Sequence, residues 1–294
     1  MKKVNVFGVP MKYGCFLDGA DMAVERTKDI YIKKFNDIKI IDNNVKNSNE
    51  FEKGSKLKYK EAVKEITNRV YNDVLKSLSN NNFPLIVGGD HSTAIGSVSA
   101  AIEYFKKDVS VIWFDAHTDI HTDETTPSGN IHGIPLSVCI GRCNDDKLNI
   151  SKYKLDPENL YYIGIRSYEK EEIEYINSKN ITKYTDIDVI NKGIEKVIDE
   201  ISNKIKTKNV HLSFDLDVLN NDEFPSVNVL LHKTYVSGKG LSFDIVNKGL
   251  KLLFEKLNIV SMDIVEYNPL LDKDLECKKK IEILVDTIKK SINN

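Results

Sequence analysis

Four short stretches of this chain carry side chains suited to holding divalent cations. They are Gly88-Gly89-Asp90-His91-Ser92, Asp115-Ala116-His117-Thr118-Asp119, Asp215-Leu216-Asp217 and the single acid Glu266. Carboxylates outnumber imidazoles and no thiolate joins them, a donor set that favours a hard ion such as Mn²⁺ over structural Zn²⁺. Asp115, His117 and Asp119 alternate, so an extended backbone points them the same way, and Asp215 and Asp217 repeat that spacing. Four acidic ligands can neutralise two divalent ions about 3.5–4 Å apart and leave a water between them as nucleophile. Gly88 and Gly89 permit a tight turn and a close backbone approach just before His91. A single Asp-x-Asp or Asp-x-His is common on surfaces, and acids after strands often only cap the next helix. Three such motifs, each directly after an apolar run, favour a metal site.

Those apolar runs are the elements that must position the donors. Val4–Val9, Ile38–Ile41, Leu85–Val87, Val109–Phe114, Tyr161–Ile165, Val210–Phe214 and Ile259–Ile264 are continuous and rich in Val, Ile and Phe. That is the signature of strands covered on both faces. Between them lie stripes of helical period: Val63, Ile66, Val70 and Val74; Ile190, Ile194, Val197, Ile198, Ile201 and Ile205; Ile281, Leu284, Val285, Ile288 and Ile292. The alternation predicts right-handed βαβ units in an α/β fold, a three-layer α/β/α domain around a mostly parallel central sheet. In such sheets ligands bind outside the carboxyl ends of the strands, where all four motifs fall. No internal repeat or linker divides the chain, so residues 1–294 read as one domain, with the polar segment Asn43 to Lys60 as a surface excursion.

Composition narrows the partners. The 294 residues hold 44 acidic and 42 basic side chains, a net charge of −2, with the lysines interleaved among acids. That is the pattern of a solvated surface and argues against nucleic acid, which needs a gathered basic surplus. No apolar run reaches the roughly 20 residues of a membrane-spanning helix. The opening MKKVNVFGVPMKYG reads as a first strand rather than a signal peptide, because Asn5 and Pro10 interrupt the apolar run. Cys15, Cys139, Cys143 and Cys277 lack the spacing of a redox or zinc motif and read as buried or half-buried free thiols of a reducing cytoplasm.

Taken in order, Gly-Gly-Asp-His-Ser, Asp-Ala-His-x-Asp and Ser-Phe-Asp-x-Asp resemble the arginase/agmatinase (ureohydrolase) family, nearly end to end, from Gly8-Val9-Pro10-Met11 to Glu266-Tyr267-Asn268-Pro269. The resemblance implies an arginase-like fold and two Mn²⁺ per subunit, held by His91, Asp115, His117, Asp119, Asp215 and Asp217. It further implies hydrolysis of a small guanidino substrate by a metal-bridging hydroxide, and assembly as a homotrimer or homohexamer. Ser128-Gly129-Asn130-Ile131-His132-Gly133-Ile134-Pro135 matches the SGNxHGxP stretch of arginases proper, which points to L-arginine, cleaved to L-ornithine and urea. By that match Ser128 and Asn130 would hold the substrate carboxylate, with Thr126 nearby, and His132 would shuttle protons. Glu266 would face the guanidinium and Glu169 would lie near the α-amino group. Asp119, His132 and Glu266 are then the catalytic set.

The chain also departs from the pattern. His121 stands where arginases usually place Asn, so a bulkier donor contacts the carboxylate end of the cleft. After Asp217 the family's Asp-Pro, Gly-Thr-Pro and Gly-Gly are all missing from the stretch Asn220 to Thr234, and Asp18-Gly19 is not followed by the usual Gly-Pro. These changes keep two alternatives open: a ureohydrolase acting on agmatine, guanidinobutyrate or formiminoglutamate, and a metal-binding but catalytically silent subunit. His211 reads as a strand residue and His232 as a loop residue, and neither is assigned a role.

Overall fold

The computed structural model describes residues 2–15, 17–227 and 238–293. Eight strands form one sheet: β1 (Val4–Val9), β2 (Lys39–Ile40), β3 (Phe83–Gly88), β4 (Val109–Phe114), β5 (Leu160–Ile165), β6 (Thr182–Thr185), β7 (Asn209–Asp215) and β8 (Ile259–Val265). Their order is β2-β1-β3-β8-β7-β4-β5-β6, and every neighbouring pair is parallel. The four strands that precede the donor motifs, β3, β8, β7 and β4, are therefore side by side at the centre. Residues far apart in sequence meet because the chain leaves β3, crosses to β4, and fills the gap last with β7 and β8.

Helices cover both faces, as the continuous apolar strands require. Within β4, Ile112 and Phe114 join a core with α7 (Ile194–Lys204), α8 (Phe243–Lys256) and α9 (Glu276–Ile292). Val111 and Trp113 point to the other face, against α3 (Ala94–Phe105), which lies beside α2 (Lys60–Ser79). This is the period-two alternation of a strand buried on both sides. Among the described residues no helix is long and apolar enough to cross a membrane.

The differences from the sequence-based expectation have local causes. Strand β6, Thr-Lys-Tyr-Thr, lies at the sheet edge, where one neighbour suffices and polar residues are tolerated. Strand β3 begins two residues earlier than its apolar run, through Pro84, which the pairing with β1 accommodates. The stripe from Ile190 to Ile205 is broken at Gly193, whose φ of 85° ends α6 (Asp186–Lys192) before α7 begins. Ile190 is consequently 54% exposed and lies outside the buried stripe. The segment from Asn43 to Lys60 runs over the surface as far as Lys56, with one isolated bridge between Phe51 and Lys58, and turns inward where Leu57, Tyr59 and Lys60 are buried at the start of α2. All four cysteines are buried and free.

Candidate metal centre and substrate cleft

Each strand end turns its donors inward by a local device. After β3 the chain passes Gly89, where a Cβ would run into the Met11 carbonyl oxygen. Asp90 then accepts backbone N–H groups from Ser92 and from Gly14, closing the turn that presents His91. After β4, Asp115 accepts the His117 N–H at 2.5 Å, and after β7 Asp215 accepts the Asp217 N–H at 2.7 Å. The two turns are tied together where the Ala116 N–H donates to Asp217. Asp119 and Glu266 both adopt left-handed backbone, φ 46° and 67°, which costs of order 1–3 kcal/mol per non-glycine residue. Both are held there by backbone bonds, Leu136 N–H to the Asp119 carbonyl and Glu266 N–H to the Gly89 carbonyl.

The result is two donor groups that share Asp115. His91 Nδ1 lies 3.0 Å from Asp115 Oδ2, 2.9 Å from Asp215 Oδ2 and 3.2 Å from Asp119 Oδ2. His117 Nδ1 lies 2.8 Å from Asp217 Oδ2 and 3.7 Å from Asp115 Oδ1. Thus Asp115 turns one oxygen to each imidazole, the placement of a bridging carboxylate. The donor atoms of His91, Asp115 and Asp119, and separately those of Asp115, His117 and Asp217, lie within 4.8 Å of one another.

Charge crowding shows what the arrangement needs. Burial and the neighbouring Asp115 push the Asp119 carboxyl up to about 7. Burial, Asp217 and Asp115 raise Asp215 well above the ordinary carboxylate range. Burial alone would lower His91, yet Asp115, Asp119 and Asp215 hold it well above its usual value, and Asp217 and Asp115 do the same for His117. His91 Nδ1 and Asp115 Oδ2 are buried and make no well-aligned hydrogen bond. A single proton on His91 Nδ1 cannot serve three carboxylate oxygens at once. A divalent cation can, and donor separations near 3 Å are those of adjacent ligands at bond lengths of about 2.1 Å.

Behind the centre lies a polar chain that the sequence reading passed over. His91 Nε2 contacts Ser213 Oγ at 2.8 Å, and Ser213 donates to Asp263 Oδ1 at 2.5 Å. Asp263 Oδ2 accepts from Ser97 of α3 and meets His211 Nε2 at 2.9 Å, while His211 Nδ1 meets Ser261. All of these side chains are buried. Their signal was polar residues at alternate positions of otherwise apolar strands: His211 and Ser213 in β7, Ser261 and Asp263 in β8.

In front of the centre, every site residue singled out from the sequence except Asp115 lines one cleft; Asp115 lies fully buried beneath it. His132 Nδ1 stands 3.2 Å from Glu266 Oε1, the oxygen that also accepts the His91 N–H at 2.8 Å. Thr126, Ser128 and Asn130 form the outer wall, and the loop is braced where Lys58 N–H donates to the Gly129 carbonyl. Gly129 has φ 74°, and a Cβ there would strike the Lys56 carbonyl oxygen, so the residue has to be glycine. On the facing wall, His121 Nε2 lies 3.4 Å from both Glu169 and Glu172. Glu172 was missed, although Glu169-x-x-Glu172 has the spacing of a capping box, which the two residues form. The altered stretch after Asp217 is described as far as Val227; Asn220 to Val227 lie outside the cleft lining, and Asn228 to Thr234, with His232, lie outside the described residues.

Comparison with known proteins agrees with this geometry. The family model described as "Arginase family" matches residues 2–286. The chain belongs to the arginase family. An arginase of Staphylococcus aureus is 35% identical, with 97% of this chain and 96% of that protein aligned. The crystal structure of Bacillus caldovelox arginase superimposes with a TM-score of 0.88 at 32% identity, covering 98% of both chains. Entamoeba histolytica arginase in complex with L-ornithine also gives 0.88, at 26% identity over 98% of this chain and 99% of that one. The protein is an arginase-type amidine hydrolase, of a metal-dependent family that binds small guanidino substrates.

Proposed function

We propose that this arginase-family enzyme hydrolyses L-arginine to L-ornithine and urea with two Mn²⁺ per subunit. His91, Asp115, Asp119 and Asp215 would hold one ion, and His117, Asp115, Asp215 and Asp217 the other. Bound there, the ions supply Lewis acidity and acidify coordinated water. The observation that carries the reading is the His132–Glu266 contact, which sets an acid–base group and a carboxylate at the mouth of the donor cluster.

The chain's own residues supply the remaining tasks. Glu266 accepts guanidinium N–H groups and holds the group over the centre, which gives orientation its share of the rate. The buried Asp115 carboxylate sits between the two imidazoles and keeps both donor groups at fixed separation. His132 is half-buried, with its proton held by Glu266, and faces both cleft and solvent, so it can pass a proton to the departing amine. Ser128, Asn130 and Thr126 present hydroxyl and amide donors to the α-carboxylate, and Glu169 presents an acceptor to the α-amino group.

A second reading has its own observation. His121 bridges Glu169 and Glu172 and so changes the wall that reads the far end of the substrate. Another guanidino or formimino acid, or agmatine or guanidinobutyrate, would then be the substrate. Measuring product release from each compound with the Mn²⁺-loaded protein decides between the readings. Arginine left intact while another compound is cleaved overturns the first, and no turnover of any compound supports a silent metal-binding subunit. We also read residues 1–294 as one domain of a cytoplasmic homotrimer or homohexamer, which sedimentation of the loaded protein tests.

A further inference from the structure

A third group of metal-ligating side chains lies beside the two donor clusters. Cys15, His132 and Glu266 each place a ligand atom within 4.8 Å of the others. They come from the turn after β1, the loop before α4 (Pro135–Ile140) and the end of β8. Among the described residues this is the one candidate metal group that contains a thiol.

The turn that carries Cys15 is rigidly placed. Gly14 N–H donates to Asp90 Oδ2 at 2.9 Å, the Gly14 carbonyl accepts the His132 N–H at 3.2 Å, and a Cβ on Gly14 would collide with Asp90 and Ser92. The backbone turns that carry Cys15 and His132 are therefore tied to each other and to Asp90. The surroundings are electronegative: Asp90 and Glu266 are both buried, 0% and 6% exposed, and against the effect of burial they and Asp119 raise the pKa of His132 beside them. Burial, then Asp90 and Glu266, push the Cys15 thiol up, so without a metal it keeps its proton. A divalent cation reverses that balance, because thiolate plus carboxylate neutralise it.

The donor chemistry is distinct from that of the main centre. Oxygen-rich groups suit Mn²⁺, whereas thiolate, imidazole and one carboxylate make a Zn²⁺-type set, with a fourth position left for water. His132 Nδ1 and Glu266 Oε1 are already 3.2 Å apart, the spacing of adjacent ligands, and Cys15 offers its sulfur within 4.8 Å of a ligand atom of each.

We propose that Cys15, His132 and Glu266 form a separate inhibitory site for a thiophilic divalent cation such as Zn²⁺. Binding forms bonds from Cys15 Sγ and from an imidazole nitrogen of His132 to the cation, and releases the thiol proton and the imidazolium proton to the buffer, with no change of oxidation state. The bound ion takes the imidazole lone pair of His132 and the carboxylate of Glu266. Its inhibitory effect rests on the proposed roles of those two residues; its binding does not.

The test uses the full chain loaded with Mn²⁺ and titrated with Cd²⁺, whose bond to a thiolate gives an ultraviolet charge-transfer absorption. Wild type should develop that band with one extra Cd²⁺ per chain, Zn²⁺ should suppress it, and C15S and C15A should lack it. Zn²⁺ should inhibit turnover of whichever guanidino compound is cleaved, with a midpoint roughly 100-fold lower in wild type than in C15S. Cys15→Ser leaves activity without Zn²⁺ unchanged, and circular dichroism of both variants verifies folding. Absence of the band in wild type overturns the site. Equal Zn²⁺ sensitivity in wild type and C15S overturns the inhibitory role and assigns inhibition to exchange at the main centre. The absorption needs no turnover, so failure of the arginine reading and failure of this site are told apart.

Discussion

The imidazole of His91 stacks on the indole of Trp113, with ring centroids 4.1 Å apart and planes 6° from parallel. Trp113 is completely buried on the α3 side of β4, and Ser213 holds the far nitrogen of the same imidazole. Ring plane and ring rotation are thus both set before any cation arrives, with Nδ1 aimed at three carboxylates. Trp113→Leu removes the stacking surface and leaves a cavity. It should lower stability by about 3 kcal/mol, within the range of large-to-small core changes, and weaken Mn²⁺ retention more than Trp113→Phe does. Thermal unfolding and metal analysis after dialysis read the two effects, and equal retention in both variants would remove the orienting role.

Asp263 should matter although it touches no substrate. It joins Ser213, His211 and Ser97, and through Ser213 it fixes the nitrogen of His91 that faces away from the centre. Asp263→Asn keeps the shape but loses the acceptor pair, and the expected cost in metal affinity is about 10- to 100-fold. Chelator competition measures it; an unchanged affinity would show that Ser213 alone suffices. Burial works against the charged form, but His211 and Ser213 hold the Asp263 carboxyl below its usual range. A depressed folded value means that its stabilisation is present above the unfolded carboxylate value of about 3.9 and is lost as pH falls through the folded one.

The donor motifs were legible in the sequence because strand-end donors are contiguous there: Asp115, His117 and Asp119 announce themselves within five positions. The sheet was legible for a similar reason, each central strand being a short segment dominated by Val, Ile, Leu, Met and Phe even where Ser110, His211, Ser213, Ser261 and Asp263 interrupt it. What escaped was structure whose meaning is tertiary. His211 and Asp263 hid inside β7 and β8, where neighbouring apolar residues dominate the pattern. Gly193 split a stripe that looked continuous, and β6 carried no apolar run because an edge strand needs none. Cys15 looked like an isolated thiol until the turn after β1 met the ends of β3 and β8.

Removing the metal should make the fold sensitive to alkali. In the metal-free protein burial and Asp115 push Asp119 up to about 7, and Asp215 is raised too. Between the unfolded carboxylate value of about 3.9 and those folded values the native state binds more protons, so stability falls as pH rises. His91 and His117, raised by their carboxylates, act in the same direction: their contribution is full below about 6.5 and is lost as pH climbs through the folded values. Divalent cations replace those protons. The gain in Tm on adding Mn²⁺ to chelator-treated protein should therefore be larger at pH 8 than at pH 5.5, and a gain independent of pH would contradict the charge argument.

Asp119→Ala and Asp215→Ala should each lower metal content and turnover together. Asp119 Oδ2 and Asp215 Oδ2 both lie within 3.2 Å of His91 Nδ1, so either loss removes a donor from the same group. Metal analysis and product release, measured on the same samples, should fall in parallel by about 100-fold or more, beyond the cost of an outer-shell change. Full turnover in a variant stripped of metal would defeat the metal-dependent mechanism.

His121 separates binding from chemistry. Its Nε2 stands 3.4 Å from both Glu169 and Glu172, its Nδ1 meets Thr125, and among the described residues its polar contacts do not include His132, Glu266 or the metal donors. His121→Ala leaves two glutamates facing each other with their shared donor gone, and Glu172 still tied to the Glu169 and Ile120 N–H groups. The cleft wall formed by Glu169 and Glu172 loses definition, while the donor groups of the metal centre keep their side chains. An interaction equal in ground and transition states shows itself as raised KM at unchanged kcat. The variant should raise KM for the preferred guanidino substrate by roughly tenfold and leave kcat within about twofold. If arginine is the substrate as proposed, the variant should also narrow the preference for arginine over agmatine, because agmatine lacks the carboxylate that this wall is proposed to read. A fall in kcat at constant KM would instead place His121 in the chemical step, and steady-state kinetics on both substrates distinguishes the two.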